Sequence, residues 1–295
     1  MTSVLVVGIG ADGWEGLAAS ARSVVSEADV LLGGRRHLDL VPEVPGQRRI
    51  PWPSPLRDGL PGLLAGLDSR VVALASGDPL VAGVGSTLVE VLGPDAVTIV
   101  PAVSSVALAR ARMRWPDETV QVVRDPATVV RHLAPGRRIL VLSTDGSTPA
   151  YVAKALCENG FGESRLTVLA DLGAPGESRV ATTATAWSGT APGLHVLAVD
   201  CAGAPALGLT PGLPDEAFEH DGQLTKRDVR ASALAHLAPS PGELLWDVGA
   251  GAGSVAVEWL RAHPTCRAVA VERSDERSAR IRRNATALGV PALRS

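Results

Sequence analysis

Two glycine-rich turns in this sequence have the spacing of cofactor-binding loops. The first, VVGIGADGWEG, carries Gly8, Gly10 and Gly13 in a G-x-G-x-x-G pattern after an apolar run. In dinucleotide-binding proteins an acidic residue about 20 positions later, at the end of the next strand, binds the ribose. Asp29 lies at that distance but precedes the second predicted strand, so its carboxylate would lie away from the ligand. We therefore favour a tight strand-to-helix turn over an NAD site, because a lone G-x-G-x-x-G is a weak signal.

The second turn, in LLWDVGAGAGSVAVEWL, has the D-x-G-x-G-x-G form of motif I in Rossmann-like methyltransferases. Its candidate cofactor-binding residues are Asp247, Gly249, Ala250, Gly251, Ala252 and Gly253. S-adenosylmethionine has no pyrophosphate to wrap, and glycines let the backbone approach its methionine and ribose where a Cβ atom would collide. Glu272, at the end of the next predicted strand, is placed to accept hydrogen bonds from both ribose hydroxyls. The alternative is a tight turn followed by a helix-entry charge, but the order of strand, loop, helix, strand and acid favours the cofactor loop.

The stretch HDGQLTKRDVRA, upstream of this loop, contains two local signals. Thr225 to Asp228 matches the S/T-x-x-D capping box of the helix that follows. A capping threonine can still face a ligand, so Thr225 is also a candidate cofactor contact. We do not interpret His220 as a metal ligand, since no partner ligand lies near it in the sequence, and we expect no metal.

Composition excludes several classes of protein. The chain has 295 residues, of which 46% are hydrophobic, enough for two domains with cores. The net charge of −3 and the lack of a basic block argue against a nucleic-acid partner. Three widely spaced cysteines indicate neither a disulfide framework nor a metal site, and they fit a reducing cytoplasm. The sequence predicts no signal peptide and no membrane span.

Apolar runs that alternate with helical patterns predict an α/β fold with a mostly parallel first lobe. The strands predicted for that lobe are Ser3–Gly8, Val30–Gly33, Arg70–Ala75, Val97–Val100, Val120–Val123 and Arg138–Leu142, with a helix over Gly16–Ala28. Strands over Arg165–Leu169, Ser178–Ala186 and Leu194–Val199 follow with little helix between them, which predicts a second, more antiparallel lobe.

A stretch rich in glycine, proline and alanine, from Cys201 to Gly222, predicts a linker. A new α/β pattern begins after it. Its predicted elements are a helix over Lys226–Leu237, a strand over Glu243–Val248, a helix over Ser254–Ala262, a strand over Arg267–Val271 and a helix over Asp275–Leu288.

Seven further segments, taken in order with this pattern, carry a resemblance to a known family. They are VVGIGADGWEGL, LLGGRRHL, ASGDPLVAGVGSTL, PAVSSVALARARMRWPDE, LSTDGSTPAYVAKAL, NGFGESRLTVLADLGAPGESRV and PDEAFEHDGQLTKRDVRA. The chain resembles the precorrin-6Y C5,15-methyltransferase (decarboxylating) family of cobalamin biosynthesis over almost its whole length. The resemblance implies a two-lobed tetrapyrrole methylase domain over residues 1–200, a linker over 201–221 and a Rossmann-like methyltransferase domain over 222–295. The first domain would methylate C5 of a precorrin, and the second would methylate C15 and remove a carboxyl group.

The resemblance also assigns S-adenosylmethionine as the cofactor and gives roles to further residues. In tetrapyrrole methylases the cofactor lies folded between the two lobes, so strand-end residues become candidate contacts. These are Gly77, Asp78, Pro79, Ser104, Ser105, Ser143 and Thr144. The alternative interpretations are an ordinary turn at residues 77–79 and a helix N-cap at Ser104.

A precorrin carries acetate and propionate groups, which call for arginine and lysine contacts. The candidates are Arg35, Arg36 and His37 in the first domain, and Lys226, Arg227 and Arg230 in the second. The alternative for each is a solvated surface charge. Methyl transfer from a sulfonium mainly requires alignment and exclusion of water, so no catalytic triad is expected and no catalytic base is identified.

The second domain departs from the family, because its pattern holds only two strands before Ser295. We therefore expect C5 methylation to survive, C15 methylation with decarboxylation to be doubtful, and an apolar sheet face to lie uncovered. Two alternatives stay open: a non-catalytic S-adenosylmethionine-binding scaffold and, less favoured, an NAD-dependent oxidoreductase. Analogy with related enzymes leaves assembly into a homo-oligomer open.

Overall fold

The structure is a computed structural model that describes residues 3–67, 70–143, 145–203 and 207–295. Its strands are β1 Val4–Ile9, β2 Val30–Gly33, β3 Arg48–Pro51, β4 Val71–Ser76, β5 Val97–Val100, β6 Val120–Val123, β7 Arg138–Leu142, β8 Arg165–Ala170, β9 Ser178–Thr183, β10 His195–Asp200, β11 Leu244–Val248 and β12 Arg267–Val271. Its α-helices are α1 Gly13–Gly16, α2 Ala19–Ser26, α3 Arg35–Asp39, α4 Leu56–Ala65, α5 Val84–Leu92, α6 Ser105–Met113, α7 Thr148–Glu158, α8 Arg227–Leu237, α9 Ser254–Ala262 and α10 Asp275–Ala287. Short 3-10 helices cover Pro94–Ala96, Asp117–Thr119, Pro126–His132 and Asp215–Ala217.

The chain forms two compact units. The first contains residues 1–115 and 169–179, and the second contains residues 116–168 and 180–295. The second unit therefore joins the C-terminal α/β segment to chain that precedes residue 200; for example, Arg131 Nη2 donates to the carbonyl oxygen of Arg261 at 2.7 Å. These units divide the chain differently from the domains predicted by sequence, whose boundaries stay a prediction.

The first sheet is five-stranded, in the order β3-β2-β4-β1-β5, and its pairs are parallel. Its central strands are almost wholly buried, as continuous apolar runs such as VLVVGI and VVALAS require in a sheet covered on both faces. Parallel pairing places the carboxyl ends of β1, β2, β4 and β5 along one edge. Ligands of open α/β sheets bind at that edge.

The second sheet is mixed, with the order β6-β7-β10-β8-β9. β6 pairs with β7 in parallel, whereas β10 pairs with β7 antiparallel. The sequence interpretation was wrong to place β6 and β7 in the parallel lobe, because the partner of a buried strand is chosen by tertiary packing that a local apolar pattern does not encode.

The third sheet contains β11 and β12, which pair in parallel and pack against α9 and α10. Along β11, Leu244, Trp246 and Val248 alternate outward, and Trp246 and Val248 keep 63% and 77% of their surface exposed. Val271, on β12, is exposed as well. The uncovered apolar face expected from the sequence is present.

Two local predictions differ from the structure. The helix predicted over Gly16–Ala28 is shorter in the structure, where α2 covers Ala19–Ser26, because Leu17 and Ala18 have extended backbones that separate it from α1. β3 was missed, since two arginines and a proline obscure its pattern; at the edge of the sheet, a strand tolerates such residues. Within the described ranges, no helix is long and apolar enough to cross a membrane.

Candidate functional sites

The carboxyl end of β1 and the turn after β4 approach each other closely at the carboxyl edge of the first sheet. A Cβ atom on Gly8 would lie 1.9 Å from the carbonyl oxygen of Gly77 and 2.7 Å from the backbone nitrogen of Ala102. Gly77 itself has a φ of +50°, and a Cβ there would lie 2.8 Å from the carbonyl oxygen of Val103. The backbones of three strand ends therefore meet where only glycine fits. Of the three opening glycines, Gly8 serves this approach.

The predicted cofactor contacts of the first unit lie around this approach. Gly77 and Pro79 are buried, and Asp78 Oδ1 accepts a hydrogen bond from the Leu80 nitrogen at 2.9 Å. Ser104 is the N-cap of α6, and its Oγ accepts from the Ala107 nitrogen at 3.1 Å. The turn and the N-cap weighed as alternatives are thus both present, at the edge where a ligand would bind.

Asp29 lies at the opposite edge. It precedes β2, and its Oδ2 accepts a hydrogen bond from the Arg70 nitrogen at 3.0 Å. Its carboxylate is therefore held at the amino ends of the strands, where it cannot serve a ligand bound by the first glycine turn.

A basic cluster lies at the carboxyl ends of β2 and β4. The Arg36 Nη2 atom lies 2.9 Å from His37 Nε2 and 3.4 Å from Ser76 Oγ. The same His37 nitrogen lies 2.9 Å from Ser76 Oγ. Burial and the neighbouring Arg36 lower the pKa of His37 to about 4, so its imidazole is neutral near pH 7. The neutral His37 offers no charge to a substrate carboxylate, whereas Arg36 keeps its charge, and a substrate contact of either residue stays a prediction. Arg35 is exposed at the start of α3.

Ser143 lies in the second unit, directly after β7. Its Oγ atom is buried and has no hydrogen-bond partner among the residues that the structure describes. A buried hydroxyl without a partner is uncommon and is compatible with a ligand contact. Thr144, its predicted companion, lies outside the described residues.

The loop after β11 has the backbone that its glycines allow. Gly249, Gly251 and Gly253 have φ values of +76°, +58° and +75°, in the left-handed region that disfavours other residues. A Cβ on Gly251 would lie 2.7 Å from the carbonyl oxygen of Gln223, whereas one on Gly249 would enter open space. Ala250 and Ala252 complete the loop, with Ala252 buried. The loop is therefore open at Gly249 and closed at Gly251, and cofactor binding by it stays a prediction.

The two acidic residues of this motif flank the loop. Asp247 Oδ2 accepts from the Ala256 nitrogen at 3.2 Å, and burial raises the pKa of its carboxyl group. Glu272 accepts from the Ser274 nitrogen at 3.0 Å and from the Gly251 nitrogen at 2.9 Å. These backbone hydrogen bonds lower the pKa of Glu272, so the group is an anion. Each oxygen keeps a lone pair that can accept from a ribose hydroxyl.

A buried asparagine connects the glycine loop to the segment 219–225. The Asn284 Nδ2 atom donates to the carbonyl oxygens of Ala252 and Glu219, both at 2.9 Å, and its Oδ1 accepts from the Glu219 nitrogen at 2.9 Å. Asn284 was not among the residues predicted from the sequence. A signal existed, because it lies on the helix face that carries Ile281 and Leu288 in the core.

The basic candidates at the start of α8, Lys226 and Arg227, contact residues 212–215 of the chain that precedes the helix. α8 begins at Arg227 with Lys226 as N-cap, and no side chain caps it, so the capping box predicted from Thr225 is not formed. Lys226 Nζ lies 3.5 Å from Asp215 Oδ2, and Arg227 Nε donates to the Gly212 carbonyl oxygen at 2.8 Å. Thr225, Lys226 and Arg227 are exposed, and a contact with a ligand stays a prediction for each.

Arg230 requires a correction. Its side chain is fully buried, where it pairs with Glu258 and Asp215 and donates to the carbonyl oxygen of Leu213. A guanidinium whose donors face internal acceptors is a structural group, so the prediction of a substrate contact at Arg230 is wrong.

Comparisons with known proteins agree with this geometry. The family described as Tetrapyrrole (Corrin/Porphyrin) Methylases matches residues 3–186 of this chain, and the family described as Precorrin methyltransferase domain matches residues 216–295. A Sinorhizobium precorrin-6Y C(5,15)-methyltransferase [decarboxylating] is 46% identical over 98% of this chain and 72% of its own length. The chain belongs to the precorrin-6Y C(5,15)-methyltransferase family. It is a methyltransferase, as the sequence predicted, and enzymes of this family use S-adenosylmethionine.

Two further relatives match the methyltransferase. A cobalt-precorrin-7 C(5)-methyltransferase of Salmonella typhimurium is 31% identical over 56% of this chain and 83% of its own. The crystal structure of a precorrin-6Y methylase from Archaeoglobus fulgidus is 26% identical, with a TM-score of 0.53 over 68% of this chain and 98% of its own. The α/β tetrapyrrole methylase fold predicted from the sequence is therefore confirmed.

The methyltransferase brings its predicted residues together in two places. Gly77, Asp78, Pro79, Ser104 and Ser105 lie with Arg36 and His37 at the carboxyl edge of the first sheet, and residues 247–253 lie with Glu272 around the glycine loop. Among the residues described, no group of three or more histidine, cysteine, aspartate or glutamate side chains could hold a metal ion.

Proposed function

We propose that this chain transfers a methyl group from S-adenosylmethionine to C5 of a precorrin macrocycle, at the carboxyl edge of its first sheet. The observation that carries the proposal is the close packing of Gly8, Gly77 and Ala102, which holds the carboxyl ends of β1 and β4 and the chain after β5 together beside the charged Arg36. Open α/β sheets bind their ligands at this edge, in the crevice outside the carboxyl ends of the strands.

The residues of the glycine loop fit S-adenosylmethionine as well. Gly249 leaves open space above the loop, and the Glu272 carboxylate lies at the loop with lone pairs for the two ribose hydroxyls. When bound, the cofactor supplies an electrophilic methyl group on a sulfonium. We infer that the chain holds this second cofactor site in addition to the one at the first sheet.

The work left to the protein is alignment, charge recognition and exclusion of water. The Gly77 turn and Ser104 would fix the cofactor, and Arg36 would hold a macrocycle carboxylate. Transfer to a carbon that bears hydrogen releases one proton for each methyl group gained. His37 does not receive it, because its Nε2 lone pair already faces Arg36.

We place the reaction in the cytoplasm, because Cys157, Cys201 and Cys266 are free thiols, as a reducing compartment maintains them. A homo-oligomer stays a prediction that light scattering would test.

Mass spectrometry of the product would test the proposal. The protein is incubated with a precorrin and S-adenosylmethionine, and one added methyl group supports C5 transfer. Two methyl groups with loss of carbon dioxide would add the C15 activity that the Sinorhizobium relative's name includes. Cofactor binding without product would favour a scaffold, and calorimetric binding of NAD but not of S-adenosylmethionine would overturn the proposal.

A further inference from the structure

The contacts among Arg36, His37 and Ser76 fix the hydrogen-bonding state of the histidine. A guanidinium has five N–H donors and no acceptor, so the 2.9 Å contact between Arg36 Nη2 and His37 Nε2 requires Nε2 to accept. The proton of the neutral ring therefore lies on Nδ1. Protonation of Nε2 would set an N–H against the Arg36 donor, so the contact favours the neutral ring, whose Nδ1 is buried and lacks a hydrogen-bond partner in the described part of the chain.

The N–H groups of Arg36 and the hydroxyl of Ser76 lie side by side at the carboxyl ends of β2 and β4. Within the described ranges, Arg36 makes no ion pair and uses only Nη2 in hydrogen bonds, so Nε and Nη1 keep their protons for another acceptor. The nearest carboxylate to influence it is Asp171, which raises the pKa of Arg36 against the lowering by burial. Arg36 Nη2 and the Ser76 hydroxyl both donate to the one Nε2 lone pair of His37, at 2.9 Å each, so the Ser76 proton can pass to a bound carboxylate while Arg36 still satisfies Nε2.

Asp171, the acidic residue that acts on Arg36, has an unusual backbone conformation. It follows β8 and has a φ of +51°, a left-handed backbone that costs about 1 kcal/mol or more in a residue other than glycine. It lies in the first unit with Arg36. Within the described ranges, Asp171 acts on Arg36 through its charge and forms no ion pair with it.

We propose that Arg36 and the Ser76 hydroxyl together bind one side-chain carboxylate of the macrocycle, and that the uncharged His37 is a positioning residue that holds the Arg36 guanidinium beside Ser76. The inference rests on the proposed function and deepens it, since it names the groups that recognise an acidic side chain of the substrate. A fork of N–H donors with an adjacent hydroxyl matches the two oxygens of a carboxylate.

Steady-state kinetics with four variants would test the proposal, with KM for the macrocycle and KM for S-adenosylmethionine measured separately. Arg36→Lys and Ser76→Ala should each raise KM for the macrocycle, by about tenfold for the lysine variant, because an ammonium lacks the planar fork. KM for the cofactor and kcat should change less than about twofold. His37→Gln, whose amide oxygen can accept from Arg36, should stay within about threefold of the native KM, whereas His37→Leu should match Arg36→Lys.

Arg57→Lys is the matched control, because Arg57 pairs with Glu90 on the exposed surface of the same unit. An unchanged KM for the macrocycle in Arg36→Lys and Ser76→Ala would overturn the binding role. Equal losses in His37→Gln and His37→Leu would overturn the positioning role. If the native protein transfers no methyl group, the proposed function fails, but an absorbance titration of the macrocycle with the same variants still tests the carboxylate site.

Discussion

Arg230 on α8 and Glu258 on α9 form a buried ion pair, with Nε 2.5 Å from Oε1 and side chains that are 0% and 3% exposed. Glu258 also accepts hydrogen bonds from the backbone nitrogens of Gly212 and Leu213, at 2.6 and 3.1 Å. The pair therefore fastens the incoming chain to the two helices next to the glycine loop. A surface-charge interpretation of Arg230 misses this role.

Replacement of Glu258 by glutamine should lower the free energy of unfolding by about 3 kcal/mol, because it leaves the Arg230 charge buried without its counter-charge. Chemical denaturation followed by circular dichroism would measure the change. The control is Glu90→Gln, which breaks the exposed contact with Arg57 and should cost less than about 1 kcal/mol. Equal losses in the two variants would contradict the structural role of the buried pair.

Gly8→Ala should disrupt the first unit, since its Cβ would lie 1.9 Å from the carbonyl oxygen of Gly77 and that backbone cannot yield without moving β1 or β4. We expect a loss of about 3 kcal/mol or more in the free energy of unfolding, together with loss of S-adenosylmethionine binding at the first sheet. Thermal unfolding and calorimetric titration would measure the two effects.

Gly66→Ala is the matched control for Gly8→Ala. Gly66 is the C-cap of α4 with a φ of −97°, and no described residue lies within 4 Å of a Cβ placed there. An alanine at that position should leave stability within about 0.5 kcal/mol of the native protein. A Gly8→Ala variant as stable as this control would show that the approach to Gly77 is not tight.

Predictions from the sequence were most accurate for features that neighbouring residues in the chain determine on their own. Val30–Gly33 and Arg267–Val271 match β2 and β12 residue for residue, since short apolar runs bounded by turn residues leave little freedom to a strand. The glycine loop was predicted because left-handed backbones at alternating positions require glycine. These inferences need no knowledge of which elements pack together.

The predictions failed where the role of a residue is decided by its contacts in the tertiary structure. Arg230 has the sequence context of a surface charge, but it is buried because it forms an ion pair with Glu258, 28 positions later in the chain. His37 looks like a cation until burial and Arg36 lower its pKa. Asn284 was missed because its role depends on residues from other elements, Glu219 and Ala252.

Glu272→Ala should weaken S-adenosylmethionine binding at the glycine loop by about tenfold or more, because it removes the acceptor for two backbone donors and for the ribose hydroxyls. Calorimetric titration should show one class of sites lost and the other retained. Glu276→Gln is the control: Glu276 is 81% exposed and pairs with Arg280 on the same helix. Two retained classes of sites in Glu272→Ala would exclude the loop as a cofactor site.

His132 should make the protein less stable in mild acid. Burial, then the charges of Arg131, Arg137 and Arg261, lower its pKa from 6.5 to about 4 in the folded protein. Between these two values the unfolded chain binds more protons than the folded one, so stability falls as the pH falls from 6.5 towards 4. His132 should contribute a loss of about 1 kcal/mol between pH 6.5 and about pH 5.

Denaturant unfolding of His132→Gln at several pH values would measure this contribution, because glutamine does not titrate. The difference in unfolding free energy between the native protein and the variant should shrink or change sign as the pH falls from 6.5 to about 5. Val130→Ala, a neighbour that packs on the core, is the control: it should lower stability by a similar amount at every pH. Parallel pH profiles for the native protein and His132→Gln would mean that His132 is protonated equally in the folded and unfolded chain, and that its burial among three arginines does not suppress its charge.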